Sequence, residues 1–220
     1  ADLLGFNEGR PLSAEQHILV EQSYDAVRWL AGHAVTYEPI YARQSFEKDG
    51  KHVFWGGLTL AANNEGVGLF DMERAAFERM GGRLWFDAGV TDLILEDGCV
   101  AGVKVGDEEL RADAVILACG GFEASGDLRA AHIGPDWSVA QVRGTPRAAG
   151  DGLRMAYAVG AQKYGKFDGC HATPMDLHMK DFGSLDLPPK ARKTYRKICY
   201  CLGVLLNARG ERFVDEGINF

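Results

Sequence analysis

The sequence predicts an α/β fold in which a small antiparallel β-meander is set among helices and a buried strand. Three observations carry this prediction. Ala114-Val115-Ile116-Leu117-Ala118-Cys119 is a short continuous apolar run stopped by Gly120 and Gly121, the pattern of a parallel-type strand buried on both faces. Just upstream, strand-like runs are separated by Glu96-Asp97-Gly98 and Gly106-Asp107, turn sequences that join antiparallel neighbours. Apolar stripes at helical spacing stand before and after these strands.

Taken in order, Ser13 followed by Gln16 has the form of a capping box, and Val20, Tyr24, Val27, Leu30 and Ala31 continue at helical spacing. Residues 37–64, with Phe54 and Trp55 beside Gly56 and Gly57, read as a loop with short strands. A second helix is expected over 67–80, with Leu69, Met72, Ala76 and Met80 as its stripe and Gly81 and Gly82 as its stop. A short strand at 83–86 precedes the meander at 90–95, 100–105 and 109–112, and the buried strand follows. Short helices are expected at 127–133, closed by Gly134-Pro135, and at 152–159, closed by Gly160. Further on come Pro174, Pro188, Pro189, a basic cluster, and a strand-turn-strand pattern over 203–214.

Composition narrows the function classes. A chain of 220 residues, 46% hydrophobic and 25% charged, can bury one sizeable core or two small ones. A net charge of −7 argues against nonspecific nucleic-acid binding. No run approaches the roughly 18 apolar residues of a membrane span, and no signal peptide is evident, so a cytoplasmic location is the expectation. Cys99, Cys119, Cys170, Cys199 and Cys201 contain no C-x-x-C pair. They are expected to be reduced thiols rather than a zinc ribbon or disulfide framework.

Few residues invite chemistry by spacing alone. The G-x-G-x-x-G fingerprint is absent; Gly150-Asp151-Gly152 opens a helix, where free amides and the dipole can face a phosphate, or where Asp151 is simply an N-cap. His171, in the small-residue loop 167–174, is either a donor to a substrate carboxylate or an ordinary surface histidine. His171, Asp176 and His178 match no metal-ligand spacing, so no metal site is expected, and no G-x-S-x-G elbow is present. Lys190, Arg192, Lys193, Arg196 and Lys197 form either a solvated loop or an attractor of anionic substrate.

Several segments together resemble one family. "GGFEAS" at 120–125, "RGTPRAAGDGLRMA" at 143–156, "GCHA" at 169–172 and "NARGERFVDEG" at 207–217 resemble the flavoproteins that include fumarate reductases, succinate dehydrogenases and tricarballylate dehydrogenases, most closely the last. The resemblance implies a partial FAD-binding, Rossmann-like domain over 1–165, with its antiparallel meander, and the start of an α+β substrate-capping domain over 166–220. It implies FAD contacts from Val90, Ala118, Gly120, Gly121 and Asp151, and a substrate carboxylate held by His171. Hydride would pass between flavin and a substrate carbon, with electrons exchanged with an acceptor that the residues do not identify.

The same resemblance marks departures. The family's amino-terminal glycine fingerprint is missing, and its proton-shuttling arginine is expected beyond Phe220, so no catalytic residue is assigned and the chain reads as an internal fragment. Weak or absent FAD binding is expected of such a fragment alone. Arg209 and Arg212 belong to the turn motif, and Cys119 stands where threonine is common. The leading reading is a dehydrogenase or reductase of a small polycarboxylate. The alternatives are an enzyme of the same class acting on a neutral enone or steroid-like molecule, and an interaction module without a flavin site.

Overall fold

The computed structural model describes residues 4, 9–54, 58–188, 191, 200 and 203–216. They fall into two units, Ala1–Phe86 and Asp87–Phe220. Both mix helices with strands, and every paired strand among the described residues is antiparallel.

In the first unit, helix α1 (Ala14–Gly32) begins as its capping box requires. The Gln16 amide donates to Ser13 Oγ at 3.2 Å and the Ser13 amide to Gln16 Oε1 at 3.0 Å, an arrangement worth about 1 kcal/mol. The helix ends in a Schellman pattern: the Val35 amide donates to the Leu30 carbonyl and the Ala34 amide to that of Ala31. Its stripe, however, lies open, with Tyr24 70% exposed. Strand β1 (Tyr37–Pro39) leads to a single turn of helix α2 (Tyr41–Gln44) and the hairpin of β2 (Ser45–Lys48) and β3 (Lys51–Phe54). Strand β4 (Leu60–Ala62) returns to pair with β1. Helix α3 (Glu65–Arg79) packs on β4. It buries Ala76 from the expected stripe and leaves Met80 exposed.

The second unit opens with the meander. Strands β5 (Val90–Glu96), β6 (Cys99–Val105) and β7 (Glu108–Arg111) form one sheet in that order. Asp97 and Gly98 both adopt positive φ, at 50° and 78°, as the two-residue turn between twisted strands demands. After it come helix α4 (Gly126–His132), a 3-10 turn at Pro135–Val139, helix α5 (Asp151–Ala158) and the single turn α6 (Asp181–Ser184). The core of this unit includes Ile94, Ala148, Met155 and Met179. Downstream, the strand-turn-strand pattern is present as one antiparallel bridge, Leu206 with Arg212.

Two expectations need correction. Residues 83–86 form no strand. The apolar run at 114–119 also forms no ladder, and Ile116 is 91% exposed rather than buried on both faces. Sheet structure is a property of pairs: the chain stays registered on β6 as far as the Ala112 amide, which donates to Ala101. Beyond that point no described segment runs alongside it. The basic cluster at 190–197, Cys199 and Cys201 lie outside the described residues. Among those residues no helix is long and apolar enough to cross a membrane.

Candidate cofactor site at a glycine junction

The fold brings two of the sequence motifs together. The glycine pair after the apolar run packs directly on the start of α5. The Gly150 amide donates to the Gly121 carbonyl at 3.0 Å, and the Ala124 amide donates to the Ala148 carbonyl at 2.9 Å. A Cβ added to Gly152 would lie 3.2 Å from the Cys119 Cβ and 3.3 Å from its Sγ. One added to Gly150, whose φ is 91°, would lie 2.7 Å from Leu128 Cδ1. These two glycines are therefore small because another segment sits on them, as well as, at Gly150, because of the backbone turn.

The face left over carries no side chain of its own at the two glycines. Gly120, at φ 77°, would carry a Cβ no closer than 3.6 Å to Ala148, and one on Gly121 would meet only Glu123 Oε2, at 3.1 Å. Ala118 is exposed beside them. Gly150 rather than Asp151 is the N-cap of α5, and no side chain caps the helix. Asp151 is its exposed first residue, so the plain N-cap role does not apply. Val90 begins β5, against which α5 packs; Arg154 Nη2 ties the two by donating to the Thr91 carbonyl at 2.7 Å. Ala118, Gly120, Gly121, Asp151 and Val90 thus occupy one continuous body. A glycine ridge beside a helix start that no side chain caps suits a large ligand needing backbone donors at close range.

Beneath this junction sits a group that the sequence reading missed. Arg129 is buried at 8% exposure. It donates to four carbonyls: Trp137 through Nε at 2.8 Å, Glu123 through Nη1, and Ser138 and Ala140 through Nη2 at 2.9 and 3.1 Å. No carboxylate is among these partners. A fork of donors filled by peptide oxygens holds the segment after the glycine pair against the 3-10 turn. Nothing in residue spacing signals it.

His171 stands apart. It is exposed in the loop after Phe167, and no hydrogen bond or ion pair to it occurs among the described residues. Asp176, between His171 and His178, accepts the His178 amide at 3.0 Å, which is the local turn chemistry of aspartate. Among the described residues no group of three potential ligands could hold a metal.

The 203–216 turn consumes its own charges. Asn207 Oδ1 accepts the Arg209 and Glu211 amides at 2.9 and 3.0 Å. Arg209 Nε donates to Glu211 at 2.8 Å, and Arg212 donates to Glu216 Oε2 at 2.9 Å through Nε and 2.6 Å through Nη2. Glu216 also accepts the Leu205 amide. The Arg212 hydrogen bonds, followed by that amide, hold its carboxyl down at about 2. Both arginines are therefore engaged in fixing the turn.

Comparison with known proteins identifies the family. Vinyl phenol reductase of Lactiplantibacillus plantarum is 26% identical over 211 residues, which cover 90% of this chain and 40% of that protein. A 3-oxosteroid 1-dehydrogenase of Mycobacterium tuberculosis is 33% identical over 127 residues, 48% of this chain and 22% of that one. The open conformation of a flavocytochrome c3 fumarate reductase shares the fold, with a TM-score of 0.61 and 23% identity over 90% of this chain and 33% of its own. The chain spans less than half the length of these curated relatives. The family model described as FAD binding domain matches residues 11–218. The chain belongs to that FAD-binding family, and its cofactor is FAD.

Proposed function

We propose that the protein carrying this chain is an FAD-dependent dehydrogenase or reductase that transfers hydride between flavin and a small polycarboxylate, of the tricarballylate, fumarate or succinate kind. Residues 1–165 belong to its FAD-binding part and 166–220 open the part that covers the substrate. The observation that supports this reading is the glycine junction, where the Gly150 amide meets the Gly121 carbonyl at 3.0 Å and the ridge of Gly120 and Gly121 is left bare.

Bound FAD supplies the redox chemistry. The chain's own residues bind and orient. The backbone at Ala118, Gly120 and Gly121 approaches the cofactor without side-chain hindrance, Val90 and Asp151 flank it, and His171, exposed on its loop, donates to a substrate carboxylate. Such a charge-assisted hydrogen bond adds both affinity and orientation. The electron acceptor is a separate partner. A cytoplasmic setting is in keeping with the free thiols of Cys99, Cys119 and Cys170.

The test is a flavin spectrum of the intact, FAD-loaded protein mixed with succinate, tricarballylate and a 3-ketosteroid. Bleaching by an acid supports the proposal, and His171→Ala should then weaken that acid by about tenfold or more while leaving flavin stoichiometry intact. A second reading, a neutral enone or steroid-like substrate, is favoured by the vinyl phenol reductase and 3-oxosteroid 1-dehydrogenase relatives. Bleaching by the ketosteroid alone decides for it. Intact protein that takes up no FAD decides for the interaction module.

A further inference from the structure

Next to the junction lies a cluster to which neither the family resemblance nor the function above assigns a role. The rings of Phe122 and Phe167 are parallel, 1° apart in plane at a 6.1 Å centroid separation. His132 closes a triangle with them, 5.3 Å from Phe122 and 5.5 Å from Phe167. Lys163 Nζ stands 4.3 Å from the centre of the Phe167 ring and 3.3 Å from His132 Nδ1. An ammonium has no lone pair, so Lys163 donates and the imidazole accepts at Nδ1, which places the ring's own proton on Nε2.

The members come from three stretches of chain. Phe122 immediately follows the glycine pair, His132 is the last residue of α4, and Lys163 and Phe167 straddle Gly165, whose φ is 86°. Phe167 is also four residues before His171, at the head of the loop that carries it. Without the cluster, nothing described between 162 and 174 is hydrogen-bonded to the glycine segment. Backbone freedom at Gly165 would let that loop leave in many directions.

We propose that Lys163, His132 and Phe122 form a latch on Phe167, which makes Phe167 and Lys163 positioning residues: they set where the 168–171 loop departs from the glycine junction. Aromatic contact supplies the seat. The lysine selects one seating of the ring by satisfying a cation-π contact and an imidazole acceptor at once. The role assigned to His171 in this scheme rests on the function proposed above; the latch itself does not.

The experiment uses the intact FAD-loaded protein with Lys163→Met, which keeps the stem and removes the charge, and Lys163→Arg, which restores a cationic donor. Backbone order parameters at 168–171 from nitrogen relaxation should fall below about 0.6 in Lys163→Met and return in Lys163→Arg, with flavin stoichiometry unchanged in both. Succinate should bind Lys163→Met about threefold more weakly, again rescued by arginine. Unchanged order parameters in Lys163→Met, equal loss in the arginine variant, or loss of bound flavin would each overturn the latch. If wild-type protein does not bind succinate at all, the substrate reading fails while the order parameters still decide the latch.

Discussion

The β5–β7 meander and the glycine junction occupy the same unit but are held together in different ways. The meander closes through neighbours in sequence: two-residue turns set the register, and Gly98 is present only for its backbone, with nothing within 4 Å of the Cβ it lacks. The junction closes through residues about thirty positions apart, and Gly150 and Gly152 carry segments packed against them. A turn glycine serves conformation, whereas a junction glycine serves contact, and the costs of replacing them follow from that difference.

Four substitutions would break or sharpen this contrast. The largest effect is expected of Arg129→Met, which leaves four carbonyls without their donor in a buried setting. A loss of about 3 kcal/mol in denaturant unfolding is expected. Next, Gly150→Ala combines positive φ with a collision at Leu128 and should cost about 2 kcal/mol, against about 1 kcal/mol for Gly98→Ala, where only the backbone objects. Equal losses at the two glycines in matched melts would remove the distinction. The smallest effect concerns the 203–216 turn. Its Glu216 carboxyl is depressed from 4.5 to about 2 in the folded protein. That stabilisation is complete above about 4.5 and is lost as pH falls toward 2. Glu216→Gln should flatten the stability profile over that interval, and an unchanged profile would show the pairing contributes nothing.

How far the sequence foretold the structure follows the same division. The capping box at Ser13, the stop at Gly81 and the turn at Asp97-Gly98 were legible because each is settled within a few residues. The apolar run before Cys119 was misread as a buried strand because pairing depends on what lies alongside, which composition cannot report. The motif at 150–152 was legible as a helix start, but its packing on Cys119 was not. Arg129 was invisible: a guanidinium that binds peptide carbonyls needs no partner residue type, so it leaves no mark in the spacing of side chains.

Arg129 also bears on the order in which the unit comes apart in acid. Peptide oxygens neither gain nor lose a proton as the solution is acidified, so the fork beneath the glycine junction has no acidic partner that can be discharged. The Arg212–Glu216 pair does have one. On titration downward from neutrality, the 203–216 turn therefore loses its ion pair as the pH falls toward 2, while the segment after the glycine pair keeps its footing on the 3-10 turn.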